Sequence, residues 1–238
     1  LFMSITVYWA PNYEFGNIDW NMLYADPISV FDKQIEQKTT VDKWDSMFYC
    51  PAFKNLTKNT LEFKNPLAST FLFDEQGNVT PSKNGMTAQT VRQPNIKDRF
   101  LLEYGITPIF FSDADISVTM TSPWLETPQW ASQANIVPGR YNIGKWFRAV
   151  NIEFMMGQGI KELTIEKDEP LAYFTFNTDE HVKFVRFKMD PELRRYSVSC
   201  ATSTSWEPWI PLADRYRRFQ ESRMRSIILK KIKENIVE

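Results

Sequence analysis

The chain has 238 residues, of which 43% are hydrophobic and 24% charged, a composition that suits a packed globular core and excludes a disordered or low-complexity protein. Its formal net charge of −1 provides no overall field to attract nucleic acid or a membrane surface, so any electrostatic partner must be met by a local patch. No stretch approaches the roughly 20 apolar residues that span a bilayer, which predicts a protein without a membrane segment.

Aromatic residues make up 15% of the chain, and aromatic and β-branched side chains fit strands better than helices. Alternating apolar and polar residues, bounded by Gly, Pro, Asn and Asp, mark a series of short strands. The predicted strands cover residues 4–9, 60–63, 70–73, 107–111, 116–121, 145–154, 160–165, 171–176 and 181–189. This spacing is typical of antiparallel sheets in a sandwich or barrel.

The stretches between these strands are predicted to be mostly loops. Residues 11–45 are loop-like, with one helical turn over residues 18–24. A hairpin turn is predicted at residues 76–78, which include a glycine between two polar residues. One internal helix is predicted over residues 95–104, because this segment begins with a capping asparagine and is followed by a glycine.

The last segment changes to a helical period, which predicts one amphipathic helix of about 25 residues within residues 211–238. Its polar face is basic, and the candidate partner surface consists of Arg217, Arg218, Arg225 and Lys230. We expect this surface to contact a second copy of the chain or another protein, or to remain a solvated face. Contact with nucleic acid is the least favoured of these alternatives.

The residue types that carry catalytic and metal chemistry are few. His181 is the only histidine, and Cys50 and Cys200 are the only cysteines, both predicted as free thiols in strand-like segments. Zinc sites and Ser-His-Asp triads need several such residues in close array. Asp113 and Asp115 are potential calcium or magnesium ligands, but no third acid completes a calcium motif. The sequence therefore predicts no metal, no cofactor and no assembled catalytic set.

Residues 139–145 match the glycine and lysine spacing of a phosphate-binding P-loop. That loop requires Ser or Thr as the next residue and a helix whose N-terminus faces the phosphates. Trp146 follows here, and the next residues alternate as a strand. A turn that leads into a strand is therefore predicted in place of a nucleotide site.

Aromatic and basic residues cluster around this turn. The candidate ligand-binding residues are Trp124, Arg140, Tyr141, Trp146 and Arg148. Aromatic walls with a few polar anchors are the usual construction of small-molecule sites, and core packing is the alternative role for the aromatic side chains. Trp206 and Trp209 are further candidates, and Glu153 or Asp113 is expected beside such a pocket.

Several short motifs carry a resemblance to known proteins. They are Cys50-Pro51, Pro123-Trp124, the strand over residues 145–154, Lys167-Asp168-Glu169-Pro170-Leu171 and the Arg-rich C-terminal segment. In this order they resemble the elements of a family of bacterial and phage proteins, over roughly residues 45–225, with residues 109–176 as the central part. The resemblance implies an aromatic β-fold with a short C-terminal helix, and it implies no activity.

The segment from Lys167 to Ala172 is also similar to the start of a strand in the β-clip fold of dUTPase-like proteins, with Asp168 where that family has glycine. The catalytic aspartate of that family has no counterpart near residues 137–141. This second resemblance therefore implies the fold without the hydrolase chemistry.

Together these features predict a mainly β protein: an antiparallel β-sandwich or β-clip-like core with one short internal helix and a long amphipathic C-terminal helix. Residues 1–210 are expected to form the β-rich domain, and residues 211–238 to belong to the same domain. The predicted function is that of a non-catalytic binding or structural protein, soluble and oligomeric. It is expected to be cytoplasmic, or part of the virion if it is phage-encoded.

Two alternatives for the function stay open. The first is a metal-independent enzyme or binder of a small molecule, such as a nucleotide-like compound, that uses the aromatic and arginine pocket. The second is nucleic-acid contact through the C-terminal helix.

Overall fold

The computed structural model describes residues 4–12, 24–38, 49–80, 88–91, 98–201 and 209–237. In these ranges strands predominate and form four sheets. The strands are β1 (Ser4–Pro11), β2 (Ile28–Ser29), β3 (Thr60–Lys64), β4 (Ser69–Phe73), β5 (Val79–Thr80), β6 (Ala88–Val91), β7 (Arg99–Tyr104), β8 (Pro108–Ser112), β9 (Ser117–Thr121), β10 (Ala134–Ile136), β11 (Gly139–Asn142), β12 (Ile152–Gly157), β13 (Glu162–Ile165), β14 (Pro170–Phe176) and β15 (His181–Arg186). The α-helices are α1 (Val30–Lys38), α2 (Pro51–Thr57), α3 (Pro191–Ala201), α4 (Leu212–Glu221) and α5 (Met224–Glu234), and a 3-10 helix spans Gln129–Ser132.

The sheets join strands that are distant in sequence. The strand orders are β15-β1-β8, β10-β12-β7-β6, β11-β9-β14-β3-β2 and β13-β4-β5. The described strand pairs are antiparallel except β1 and β15, which run parallel from the Ser4–His181 pair to the Trp9–Arg186 pair. The chain is therefore mainly β, as predicted. β4 and β5 pair around the predicted turn at residues 76–78.

Strand β1 is buried on both faces, which places it at the centre of the fold. Successive side chains of a strand point to opposite faces. Val7 and Trp9 accordingly enter the main core, whereas Tyr8 and Ala10 enter a second core. The main core is shared by all four sheets and includes the buried side chains of Phe63, Phe71, Phe110, Phe154 and Phe174. The second core lies between the β15-β1-β8 sheet and helices α3, α4 and α5, which supply Leu193, Phe219, Ile228 and Ile232.

The prediction of a helix over residues 95–104 is wrong. Residues 99–104 form β7, which pairs with β12 on one side and β6 on the other. Phe100 and Leu102 enter the main core, and Leu101 between them is buried as well. A strand with two buried faces gives a continuous apolar run, which periodicity alone does not distinguish from a helix face. Residues 95–97 lie outside the described part of the chain.

The prediction of a long strand over residues 145–154 is wrong for residues 145–151. Strand β12 begins only at Ile152, and residues 145–151 form an irregular segment that touches β8 through a bridge between Ala149 and Ile109. Trp146 and Phe147 are adjacent in sequence, yet both are buried in the second core. A strand would send these two side chains to opposite faces, so the pattern of apolar residues does not reflect a strand here.

The prediction of a single long C-terminal helix is also wrong, because two helices, α4 and α5, occupy that segment. Helix α4 ends at Ser222, whose backbone is extended (φ −86°, ψ 166°). The Ser222 hydroxyl donates to the carbonyl of Phe219 at 2.7 Å and accepts from the amide of Met224 at 3.2 Å. The break allows Phe219 of α4 and Ile232 of α5 to reach the same core.

One internal helix was predicted, but the described part of the chain contains several. Helix α1 lies in a segment predicted as loop, α2 directly follows Cys50, and α3 contains Cys200. The strand-like contexts predicted for both cysteines are therefore wrong. Burial raises the pKa of the Cys200 thiol to about 12. Cys50 is exposed at the start of α2. Most of the helical turn predicted over residues 18–24 falls outside the described residues.

Helix α3 begins with a cap that the sequence displays. Asp190 accepts a hydrogen bond from the amide of Leu193 at 2.8 Å, and Pro191 is the first helical residue. A capping aspartate followed by proline is a known start signal for helices. The described helices include none that is long and apolar enough to cross a membrane.

Candidate ligand-binding cavity

A cavity of about 370 Å³ lies between β11, the irregular segment that follows it and helix α4. We call it the aromatic-arginine cavity. Its lining includes Arg140, Tyr141, Asn142, Lys145, Trp146, Arg148, Tyr216 and Gln220. Four of the five predicted ligand-binding side chains therefore line one cavity. Tyr216 and Gln220 were absent from the prediction, because only the docking of α4 brings them there.

Trp124, the fifth predicted residue, lies elsewhere. Its ring packs edge-on against Phe53 at 5.5 Å and against Tyr173 at 5.3 Å between centroids. Of the two further candidates, Trp209 is 75% exposed and Trp206 lies outside the described residues. The structure thus separates Trp124 from the aromatic-arginine cavity and does not bring Trp209 to its lining.

The loop at the mouth of the cavity is fixed by a network centred on Asn142. Its side-chain oxygen accepts from the amides of Gly144 at 3.1 Å and Lys145 at 2.9 Å. Its side-chain nitrogen donates to Asp115 at 2.8 Å, and the Lys145 ammonium lies 2.5 Å from the same carboxylate. Hydrogen bonds from Lys145 and Asn142 lower the pKa of Asp115. Residues 139–142 form β11, and a bend over residues 143–145 leads into an irregular segment. The prediction that residues 139–145 are a turn leading directly into a strand is therefore wrong.

Gly144 permits the close approach of this loop to the preceding one. A Cβ atom at Gly144 would lie 2.0 Å from the carbonyl oxygen of Ala114, which is a backbone atom that cannot swing away. We expect Gly144→Ala to lower the free energy of unfolding by about 1–3 kcal/mol, since overpacking forces a backbone shift. The matched control is Gly157→Ala, where a Cβ would meet nothing within 4 Å. Urea denaturation of both variants measures the difference, and equal stabilities would contradict the tight contact.

Trp146 forms the inner wall of the cavity. It is 8% exposed, and its ring packs against Tyr216 at 3.9 Å and Phe219 at 5.5 Å between centroids, both on α4. The indole nitrogen of Trp146 is buried and has no hydrogen-bond partner among the described residues. Buried N–H groups are usually paired, so this donor marks a place where an acceptor is missing.

Two arginines supply positive charge to the cavity. Arg140 is exposed, and its Nε donates to the hydroxyl of Ser117 at 2.9 Å. Arg148 is half-buried and forms no hydrogen bond or ion pair with any described residue. The nearest acidic influence on Arg148 is Glu153 of β12, which lies opposite Glu103 of β7.

Glu153 carries an unfavourable charge in the folded state. Burial first, and the neighbouring Glu103 second, raise its pKa, although Arg148 partly offsets the increase. Burial and Glu153 also raise the pKa of Tyr141, which lines the cavity. Glu153 therefore acts electrostatically on Arg148 and Tyr141, although neither Glu153 nor Asp113 is among the described residues that line the cavity.

We expect Glu153→Gln to raise the thermal unfolding midpoint at neutral pH. A carboxyl whose folded pKa lies above its ordinary value destabilises the folded state once it is ionised, and this penalty vanishes below the ordinary carboxyl range. The gain should therefore be present at about pH 7 and absent at about pH 3.5. An exposed carboxylate, Glu180, provides the control as Glu180→Gln. A gain that is the same at both pH values would contradict the assignment.

The residues of the predicted partner surface lie on both C-terminal helices. Arg217 and Arg218 of α4 and Lys230 of α5 are exposed. Arg225 of α5 is half-buried and donates to the backbone carbonyl of Asp113. Arg225 thereby holds α5 against the loop that borders the cavity, while the other three side chains are exposed.

Comparisons with known protein families, with curated proteins and with solved structures find no match for this chain. In the described ranges, no group of three or more His, Cys, Asp or Glu side chains is placed to hold a metal ion. The chemistry of the aromatic-arginine cavity therefore rests on the geometry of its own residues.

Proposed function

We propose that the protein is a non-catalytic binding protein that holds a small organic molecule in the aromatic-arginine cavity. The observation that carries this proposal is the half-buried guanidinium of Arg148 at the cavity, which has no hydrogen-bond or ion-pair partner among the described residues. A bound molecule with acceptor groups would pair it. The volume of about 370 Å³ falls within the range of about 300–1,000 Å³ that is typical of small-molecule sites.

The side chains at the cavity support binding better than proton-transfer chemistry. The lining residues that the structure describes include no carboxylate, imidazole or thiol. Lys145 is engaged by Asp115, and burial raises the pKa of Tyr141. General acid–base catalysis needs a group that titrates near the working pH, and burial moves the pKa of Tyr141 away from that range.

Tryptophan fluorescence tests the proposal. A library of one- and two-ring aromatic compounds, both charged and neutral, is screened by thermal shift, and the compounds that stabilise the chain are titrated against two variants. In Trp124→Phe, whose altered ring lies outside the cavity, the compounds should still quench the fluorescence. In Trp146→Phe the indole at the cavity wall is replaced by a smaller ring, so quenching and affinity should both fall. Binding that is unchanged in Trp146→Phe would overturn the proposal.

Assembly through the C-terminal helices is a second candidate function. Apolar side chains that are more than 40% exposed occur on α3, on α5 and next to the two C-terminal helices, namely Val198, Trp209, Ile227, Ile236 and Val237. Exposed apolar groups beside exposed arginines are typical of protein interfaces. We propose a second copy of the chain as the partner. Light scattering should show a smaller species for Trp209→Ser combined with Ile227→Ser than for the control Leu72→Ser, which alters a residue of β4 that is 46% exposed, close to the 44% of Ile227. Equal masses would exclude this contact.

For the architecture we propose a β-sandwich. Two ring contacts between different sheets support it: Trp9 of β1 meets Phe63 of β3 at 5.9 Å, and Phe71 of β4 meets Tyr104 of β7 at 5.4 Å. Facing sheets that interdigitate aromatic side chains are the usual core of a sandwich.

A further inference from the structure

We propose that the ligand of the aromatic-arginine cavity is a flat aromatic anion, whose carboxylate or phosphate is bound by Arg148 and Arg140 and whose ring packs against Trp146 and Tyr216. This inference rests on the proposed function, and it adds the chemical class of the ligand.

The charge of the lining supports an anion. Arg140, Lys145 and Arg148 line the cavity, and no carboxylate is among the described lining residues. The carboxylate of Asp115 pairs with the Lys145 ammonium at 2.5 Å, whereas Arg140 and Arg148 form no ion pair with any described residue. Such a cavity attracts anions and disfavours cations.

The geometry of arginine narrows the anionic group to a carboxylate or a phosphate. A guanidinium presents five N–H donors in a planar fork that matches two oxygens of either group. Arg148 uses none of these donors on a described residue, although it is half-buried. A partly desolvated and unpaired guanidinium is well suited to a charge-assisted bidentate contact.

The rest of the lining supports a flat ring. The side chains of Trp146, Tyr216 and Tyr141 provide aromatic surface around the cavity. Aromatic rings favour stacked or edge-on contact with other rings, so a planar ligand uses this surface better than a flexible chain.

The size of the cavity limits the ligand to one or two rings. A volume of about 370 Å³ is at the lower end of the range for small-molecule sites. A dinucleotide or a long acyl chain would extend well beyond the lining. Indole-3-acetate and phenyl phosphate have suitable dimensions and serve as probes, and indole-3-acetamide is the neutral isostere of the first.

The experiment measures the affinity of the full chain for these three probes by isothermal titration calorimetry. We expect indole-3-acetate to bind about 10- to 100-fold more tightly than the amide, which is the ratio expected for a hydrogen-bonded charge. Arg148→Gln should abolish the difference between acid and amide. Arg148→Lys keeps the positive charge but loses the planar guanidinium, so it should retain part of the difference in affinity between acid and amide. The control Arg195→Gln alters an exposed arginine of α3 and should retain the full difference in affinity between acid and amide.

A further variant tests the same assignment by a gain of affinity. Glu153 acts electrostatically on Arg148, so Glu153→Gln removes a negative charge that opposes an incoming anion. We expect indole-3-acetate to bind several-fold more tightly to this variant and the amide to bind unchanged. The ratio of the affinities for phenyl phosphate and indole-3-acetate then identifies which anionic group the two arginines favour.

The outcomes separate this inference from the proposed function. If the amide binds as tightly as the acid, or if the difference survives in Arg148→Gln, the ligand is not recognised as an anion and the inference is overturned, although aromatic binding at Trp146 still stands. If no aromatic compound of the screened library binds in a way that depends on Trp146, the proposed function itself fails.

Discussion

Replacing Lys33 with methionine is expected to lower the free energy of unfolding by about 3–5 kcal/mol, the usual cost of breaking a buried ion pair from one side. Glu62 of β3 is completely buried, and the Lys33 ammonium of α1 donates to its two carboxylate oxygens at 2.7 and 2.8 Å. The same ammonium reaches Glu126 at 3.0 Å. Burial alone would lower the pKa of Lys33, but the hydrogen bonds to Glu62 and Glu126 raise it overall. Without Lys33, the carboxylate of Glu62 remains buried with its main partner lost.

Urea denaturation of two further variants makes this prediction specific. Lys64 lies 4.0 Å from Glu62 and is 31% exposed, so Lys64→Met should cost less than about 1 kcal/mol. Combining Lys33→Met with Glu62→Leu removes both charges and should recover much of the lost stability, because an apolar pair of similar volume replaces the ion pair. If Lys33→Met is no more destabilising than Lys64→Met, the ion pair between Lys33 and Glu62 does not stabilise the folded state as predicted.

The second large effect is expected for Asn65→Ala, which should cost about 3–5 kcal/mol, because each buried polar group left without a partner costs about 1–3 kcal/mol. The Asn65 side chain is fully buried and donates to the carbonyls of Leu67 at 2.6 Å and of Ile165 and Glu166 at 3.0 Å. It also accepts from the Tyr104 hydroxyl at 2.9 Å. One amide thus ties the turn after β3 to the turn before β14.

The graded comparison is Tyr104→Phe, which removes one hydrogen bond of Asn65 and the hydrogen bond between the Tyr104 and Ser69 hydroxyls at 2.9 Å. It should cost about 1–2 kcal/mol. Both variants are measured by urea denaturation with the same slope assumed for the two transitions. A cost of Asn65→Ala that equals that of Tyr104→Phe would show that water or a shifted side chain replaces the three carbonyl contacts.

The strands were the most predictable part of the fold. Where one face is buried, as in β4, buried and exposed residues alternate and the sequence displays the period. Strand β7 was mistaken for a helix because it is buried on both faces. The start of α3 had a visible signal in Asp190-Pro191-Glu192 that the sequence analysis missed. The break between α4 and α5 had no comparable signal, because Phe219 and Ile232 fit one long helical stripe as well as two short ones.

The candidate site was predictable only where its residues are close in sequence. Arg140, Tyr141, Trp146 and Arg148 lie within nine positions, so a single loop brings them together. Tyr216 joins them through the second core, which is a tertiary contact that local patterns do not contain. Trp124 was grouped with them by residue type, but the chain directs it towards Phe53 and Tyr173.

The C-terminal helices also determine which experiments on assembly are informative. Phe219, Ile228 and Ile232 are core residues that cover Trp146 and the outer face of β1. Deleting residues 211–238 would therefore expose a large apolar surface and cause aggregation by itself. Point substitutions at exposed positions such as Trp209 test self-association without this complication.

The parallel pairing of β1 with β15 has a consequence for biosynthesis. Ser4 is translated long before its partner His181, and the helices that cover Tyr8 follow later still. A nascent chain therefore presents an apolar strand without these neighbours until they have been made, and unpaired strands of this kind are prone to aggregate. Yield in a host cell is accordingly expected to respond to chaperone supply and to slower translation at low temperature, even for variants whose folded stability is unchanged.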